Sequence, residues 1–317
     1  MALVETWQRA WDAARELFYA SDCPNDHFRT STEYADVLAA AIAHRIAEPV
    51  TQSIALCGSA DIVDIGGADA RLLTALRGVL VDKGFDAGDL RCVVIDLRSL
   101  CVEGIETVVG RAPDCLERAF PAGITGAVIA HEWLDDIACD VVEVDPLGVR
   151  RTVLVDRSTG AERLGDPVDS TVERWLDEWW PIREPGDRAE VGIPRDHAWS
   201  AVLRHMRFGS ALAIDYGHRR HDRPRGGSLS AYRSGRRVDT IPDGTCNITA
   251  HVAMDALAPG GSIVTQRERM RSELGECVGD PITRSRMATL TDPSGLGAFL
   301  WREDRVAAES DVPRWAS

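Results

Sequence analysis

Three short segments carry residue types that can do chemistry together. In Val63-Asp64-Ile65-Gly66-Gly67-Ala68-Asp69-Ala70-Arg71 an apolar run ends in a turn of small residues, and a helix-forming stretch follows. Small residues let a bound ligand approach the backbone closely, and a helix start offers it free N–H groups. A dinucleotide turn needs glycine at its first, third and sixth positions. Here those positions hold Gly66, Ala68 and Arg71, and the arginine excludes the close helix–strand packing of that turn. The second segment is Val93-Val94-Ile95-Asp96, which puts a carboxylate where the two hydroxyls of a ribose can be held. The third is Ile129-Ala130-His131-Glu132-Trp133-Leu134-Asp135-Asp136, a histidine and three carboxylates after an apolar run. Each has a plainer reading: an ordinary strand-to-helix turn, a solvent-facing strand end, and helix capping, which is favoured for Asp136.

The elements that must position these residues follow from the rhythm of the chain. Leu3, Trp7, Trp11, Ala14 and Phe18 recur at helical spacing. Residues 22–32 break that pattern and read as a loop. A second helix is expected from about Thr32 to Ile46, stopping before Pro49. Apolar runs at 62–65, 92–95 and 127–130, with a helical stretch at 70–80, predict strands alternating with helices in a parallel sheet. Residues 141–144 and 149–155 flank the turn Asp145-Pro146-Leu147-Gly148 and predict a hairpin. A helix with Trp175, Trp179 and Trp180 is expected over 168–180, then a loop over 183–194. A strand at 210–214 leads into Asp215-Tyr216-Gly217. From Arg267 a helix, a loop around Pro281 and a strand at 296–301 complete the pattern.

The expected fold class is therefore α/β, a Rossmann-like sheet with N-terminal helices and a capping insertion. Residues 1–50 are the N-terminal helical segment, and 51–140 with 199–266 form the core. Residues 141–198 are the hairpin–helix insertion, and 267–317 complete the core.

Composition narrows the function. The chain has 317 residues, 44% hydrophobic and 27% charged, with a net charge of −14, which opposes binding to nucleic acid. The basic cluster Arg219, Arg220, Arg223 and Arg225 has no aromatic residue among it. No apolar run approaches the ~20 residues that cross a bilayer. Met1 to Glu16 carries three acidic residues, unlike a signal or transit peptide, so the cytoplasm of a bacterium is the expected compartment. Eight cysteines without C-x-x-C spacing read as buried free thiols, and no metal is expected.

The spacing G-x-G-x-G, read as Gly66, Ala68 and Ala70, fits S-adenosylmethionine enzymes better than dinucleotide enzymes. Further matches lie in the same order along the chain. They are Phe18-Tyr19, Phe28-Arg29-Thr30-Ser31 and Tyr34 near the start, then Val63-Asp64-Ile65-Gly66 and Ala130-His131-Glu132-Trp133-Leu134-Asp135. Ala211-Leu212-Ala213-Ile214-Asp215-Tyr216-Gly217 is the most specific. Arg225-Gly226-Gly227-Ser228-Leu229, Asn247-Ile248-Thr249-Ala250-His251-Val252 and Thr265-Gln266 follow it. From about Phe18 to Gly275 the chain resembles the MidA-like family of S-adenosylmethionine-dependent methyltransferases, which includes the mitochondrial complex I assembly-factor arginine methyltransferase. The family pattern has Glu where Asp64 stands, Asn where His131 stands, and a more glycine-rich turn.

The resemblance implies S-adenosylmethionine as cofactor and a protein arginine as acceptor. Asp64, Gly66, Gly67, Ala68, Asp96 and His131 are the expected cofactor residues. Glu132 and Asp135 would clamp the acceptor guanidinium, while Asp215, Tyr216 and His251 line the far side, Tyr216 or His251 taking a proton. The expected partners are a methyl-acceptor protein or small molecule and a second copy in a homodimer, with neither nucleic acid nor membrane. Two alternatives stand beside this. One is a non-catalytic assembly scaffold, to which the alanines at 68 and 70 point. The other is a small-molecule methyltransferase with the tryptophans of 175–180 as an apolar lid.

Overall fold

The apolar runs at 62–65, 92–95, 127–130 and 210–214 form the middle of one sheet. The computed structural model describes residues 4–21, 31–275 and 280–307, so Phe28, Arg29 and Thr30 of the expected entry loop, with Cys23 and Cys277, lie outside the described residues. The chain divides into two units. The sheet unit takes Ser31–Trp133, Ala198–Tyr216 and Gly260–Ser317; the hairpin unit takes Met1–Thr30, Leu134–His197 and Gly217–Pro259.

In the sheet unit seven strands pair: Ala60–Ile65, Leu90–Asp96, Glu106–Val109, Ile124–His131, Met206–Asp215, Ser262–Thr265 and Leu300–Val306. Counted in that order along the chain, they lie 3-2-1-4-5-7-6 across the sheet. The first five are parallel, while Leu300–Val306 runs antiparallel between Met206–Asp215 and Ser262–Thr265. Pairing spreads in both directions from Ala60–Ile65 and Ile124–His131, which makes their carboxyl ends the topological switch point where open α/β sheets bind ligands. Ile62, Val63, Val93, Val94, Val128 and Ile129 are buried, which is why these strands read as continuous apolar runs rather than alternating ones.

The second helix runs Ala35–Cys57, straight through Pro49, and so overturns the expected stop before it. Proline in a helix interior costs about 3 kcal/mol. Ile42, Ile46 and Val50 are wholly buried in the core with Ile62, Ile129 and Leu212, and each such side chain contributes about 1.5–3 kcal/mol. Burial outweighs the local penalty. Pro281 likewise lies inside an element: it opens the helix Pro281–Leu290, where its missing N–H costs nothing and Asp280 caps the next two amides. The expected strand at 296–301 resolves into a short 3-10 turn, Leu296–Ala298, and the strand Leu300–Val306.

In the hairpin unit, Trp7–Ser21 is a helix whose Trp7, Trp11, Ala14 and Phe18 are buried, as their spacing predicts, with Ala10 buried beside them; Leu3 lies outside the described residues. The expected hairpin forms as Asp140–Val144 with Arg150–Asp156, antiparallel, with Val144 opposite Arg150. The loop expected over 183–194 instead contains the strand Arg188–Val191, paired with Asp140–Glu143, and the start of the helix Ile193–His205. Its charges misled because Glu190 is a buried residue with internal partners. Trp175 and Trp180 are buried with Val142, Val144 and Val191, so they are core rather than a lid. Cys57 and Cys101 are exposed, against the expectation of buried thiols, while Cys92, Cys115, Cys139 and Cys246 are buried. No helix among the described residues is long and apolar enough to cross a membrane.

Candidate active site

At the switch point of the sheet unit, the turn after Ala60–Ile65 keeps a glycine-type path although it carries alanines. Gly66, Ala68 and Ala70 have φ of 75°, 46° and 58°. An alanine there costs about 1–2 kcal/mol, so local bonds must hold it. Gly66 N–H donates to Ile95 O at 2.8 Å, Ala70 N–H to Gly67 O at 2.7 Å, and Ala68 N–H to Asp96 Oδ2 at 3.2 Å. Gly67 is required by close approach: a Cβ there would stand 2.5 Å from Val94 Cγ2 and 2.7 Å from Asp64 Oδ2. Gly67→Ala is therefore expected to destabilise the protein by about 1–3 kcal/mol and to weaken ligand binding at the turn. Thermal melts with and without ligand check this; an unchanged melting temperature would contradict it.

Asp64 lies beneath this turn, 2% exposed, and its Oδ2 has no hydrogen-bond partner among the described residues. Burial first, then the charges of Asp96 and Asp69, push its pKa up to about 7. A carboxylate held so is suited to a positively charged ligand. Asp96 takes Arg98 N–H on Oδ1 at 2.9 Å. Beside it stand two exposed apolar residues, Leu97 (43%) next in the chain and Val109 (47%) opposite in register.

The next strand of the sheet ends in His131, buried, with Nε2 2.9 Å from Ser31 Oγ and 3.5 Å from Glu132 Oε1. Burial lowers its pKa to about 4, so it is neutral at pH 7. Glu132 is left-handed, φ 49°, a rare state for a long side chain and common where function demands it. Its N–H donates to Ile214 O at 2.9 Å, and its Oε1 accepts from Ser31 N–H at 3.2 Å. Asp215 closes the neighbouring strand, fully buried, and Tyr216 packs edge-on to Phe299 at 5.3 Å. Asp64, Gly66, Gly67, Ala68, Asp96, His131, Glu132, Asp215 and Tyr216 thus share one unit, on adjacent strand ends. Trp133 also stands here, its Cδ1 3.3 Å from where a Cβ on Gly66 would be.

Asp135 and His251 belong to the hairpin unit. Asp135 is buried, and its Oδ2 accepts from Thr249 Oγ1 at 2.6 Å. The His251 N–H donates to Ser228 Oγ at 2.9 Å, and its ring centroid is 6.2 Å from that of His218. Although His251 is an exposed residue, desolvation by the surrounding protein lowers its pKa; Arg195 acts in the same sense, against Glu190 and Asp135. Asp136 caps no helix. Its Oδ2 accepts from Tyr19 Oη at 3.1 Å and lies 3.4 Å from Arg15 Nη1, and burial raises its pKa to about 7.

The sequence pattern marks Ser31 only as the end of the Phe28–Ser31 match and gives no role to Glu190 or Arg195. Glu190 accepts from Ser228 N–H and Oγ and from Leu229 N–H, 38 and 39 residues away. Arg195 donates to carbonyls more than 50 residues off. No local pattern encodes such pairs.

Residues 109–269 match a family model described as "Putative S-adenosyl-L-methionine-dependent methyltransferase". A crystal structure of a Burkholderia thailandensis protein bound to S-adenosyl-homocysteine is similar in fold, with a TM-score of 0.74 at 18% identity over 96% of this chain and 88% of that one. A native crystal structure of an uncharacterized protein from the same organism gives 0.72 at 18% identity, over 96% and 87%. No curated protein matches the chain.

Proposed function

The chain belongs to this family of S-adenosyl-L-methionine-dependent methyltransferases, and from that premise we propose that it methylates a nitrogen of a protein arginine side chain. The observation that carries the reading is the partnerless Asp64 oxygen under a turn of left-handed small residues, at the switch point of the sheet. The residues present fit the cofactor. Asp64 suits its positive charge, the Gly66–Ala68 backbone suits close approach, and Asp96 with Leu97 and Val109 suits a nucleoside, the carboxylate for the ribose and the apolar pair for the base. His131, neutral and held by Ser31, suits an uncharged polar part of the same ligand.

Bound, the cofactor supplies an electrophilic methyl on a sulfonium sulfur. The protein's own work is to position, to exclude water and to take a proton. Glu132 is proposed to hold and orient the acceptor guanidinium, since its strained backbone fixes the carboxylate at a strand end. Asp215 and Tyr216 line the site, and Tyr216 accepts the proton. A basic acceptor segment also suits a chain of net charge −14.

Calorimetric titration with S-adenosylmethionine is expected to give heat of binding and a raised melting temperature. No heat and no shift at millimolar ligand would remove the enzyme reading and leave the scaffold. In cell lysate, labelled methyl is expected in protein; label confined to solvent-extractable material would replace the protein acceptor with a small molecule.

A further inference from the structure

We propose that Ser31 is a positioning residue for methyl transfer: it joins His131 and Glu132 in one hydrogen-bonded chain that sets the direction of the Glu132 carboxylate. The proposal rests on the reading of Glu132 as the carboxylate that holds the acceptor. All three residues belong to the sheet unit. Ser31 opens a 3-10 turn, Ser31–Tyr34, that runs into the helix Ala35–Cys57, and it is fully buried. Its Oγ lies 2.9 Å from His131 Nε2 and 3.4 Å from Glu132 Oε1, and its N–H donates to the same Oε1 at 3.2 Å. His131 Nε2 and Glu132 Oε1 stand 3.5 Å apart, on side chains only 4% and 8% exposed.

This triangle of polar atoms decides where the hydrogens go. A serine hydroxyl has one hydrogen, a neutral imidazole has one, and a carboxylate only accepts. With its hydrogen on Nδ1, His131 would turn a bare Nε2 lone pair toward Oε1 at 3.5 Å, and both would compete for the serine hydrogen. With the hydrogen on Nε2, the ring donates to Ser31 Oγ and the hydroxyl donates onward to Oε1. The chain then runs from Nε2–H through Oγ–H to the carboxylate, which accepts from the Ser31 amide as well. Each link polarises the next in surroundings shielded from water.

Glu132 needs such a hold. Its left-handed backbone, φ 49°, sets where the side chain starts, and the side-chain torsions beyond it leave the carboxylate several staggered positions. Ser31 sets where the side chain ends. It does so from a fixed base, because the helix behind it places Leu38, Ile42 and Ile46 in the core with Ile129 and Leu212. Without the hydroxyl, the carboxylate loses one of the two Ser31 donors and can turn about the other, and the Nε2–H of His131 loses its acceptor. A misplacement of about 1 Å at a reacting group can cost about a hundredfold in rate. Ser31 thus ties a residue proposed for the cofactor to the one proposed for the acceptor.

The test uses the full chain as wild type, Ser31→Ala and Ser31→Thr. NMR of isotope-labelled histidine rings locates the hydrogen on His131, whose signals are assigned by their loss in His131→Asn. In the ligand-free wild type that hydrogen is expected on Nε2, and in Ser31→Ala it is expected to divide between Nε2 and Nδ1. With a synthetic Gly-Arg-Gly peptide as the acceptor probe, Ser31→Ala is expected to lower kcat by about 10- to 100-fold. KM for the peptide and Kd for S-adenosylmethionine are expected to change by less than about threefold, since the loss falls on orientation rather than binding. Ser31→Thr keeps a hydroxyl and is expected to keep the Nε2 hydrogen and to return kcat to within about threefold of wild type. A hydrogen on Nδ1 in the wild type, an unmoved spectrum or wild-type kcat in a folded Ser31→Ala, or a folded Ser31→Thr as slow as Ser31→Ala would each overturn the proposal. Should Ser31→Ala not fold, the wild-type spectrum and the kcat of Ser31→Thr decide. A wild type that methylates no arginine peptide would sink the acceptor proposed above, while the place of the His131 hydrogen with and without the hydroxyl still decides whether Ser31 builds this chain.

Discussion

Glu132→Gln is expected to lower methyl transfer by about 100- to 10,000-fold, while the dissociation constant for S-adenosylmethionine changes by less than about threefold. The amide keeps the volume of the side chain and an oxygen that accepts from Ser31 N–H, as Glu132 Oε1 does at 3.2 Å. It also tolerates the left-handed backbone no worse. What it removes is the charge. In the proposed mechanism that charge holds a cationic acceptor and stabilises it while its proton departs, so the loss falls on turnover. Steady-state rates and calorimetry on the same preparation check both halves. Wild-type turnover in the variant would return Glu132 to a purely structural part in closing the turn after Ile124–His131.

The second large effect is on pH. The Asp64 carboxyl has its pKa raised to about 7 in the folded protein, against about 3.9 in an unfolded chain. Between those values the folded state holds a proton that the unfolded state has lost, so stability falls as pH rises through that window. Asp136, also raised to about 7, acts with the same sign. A cationic ligand reverses the preference at Asp64 and expels its proton. The affinity for S-adenosylmethionine is therefore expected to rise by up to about tenfold per pH unit between pH 5 and 7 and then level off. Asp64→Asn should flatten that slope and weaken binding above pH 7. It should also stabilise the ligand-free protein at pH 8 by on the order of 2–4 kcal/mol. Calorimetry across pH and melting curves at pH 5 and 8 measure these. An Asp64→Asn protein with the wild-type pH slope would show that another group carries the proton.

The strand ends were legible because the chemistry there is local. A buried parallel strand needs β-branched residues on both faces, and Ile62–Ile65, Cys92–Ile95 and Ala127–Ala130 announce themselves as apolar runs closed by Gly66, Asp96 and His131. The tight turn was legible for the same reason, and the structure adds that Ala68 and Ala70 take backbone angles that glycine would adopt without strain. Where the reading failed, a distant contact overrode a local rule. Pro49 was read as a helix stop, yet Val50 and Ile46 on its two sides sit in the core with sheet residues. The stretch around Glu190 was read as solvated, yet its carboxylate is bonded by amides of Ser228 and Leu229. Trp175 and Trp180 were open to reading as a lid, and only the strand Arg188–Val191, itself unseen in the sequence, shows them to be interior. Arg195 stands furthest from any local signal, since its partners lie more than 50 residues away, and Ser31, visible as the end of a matched segment, hid its partner His131 about 100 residues on.

The antiparallel strand Leu300–Val306, which lies between Met206–Asp215 and Ser262–Thr265, bears on how the chain is made. During vectorial synthesis the edge of Met206–Asp215 emerges well before its neighbour, and at roughly 5–20 residues per second it waits several seconds with open amides and carbonyls. Such an edge is a template for the wrong partner. The nascent polypeptide is therefore most prone to aggregate late in translation, and ribosome pausing ahead of residue 300 should lower the yield of soluble protein more than pausing elsewhere.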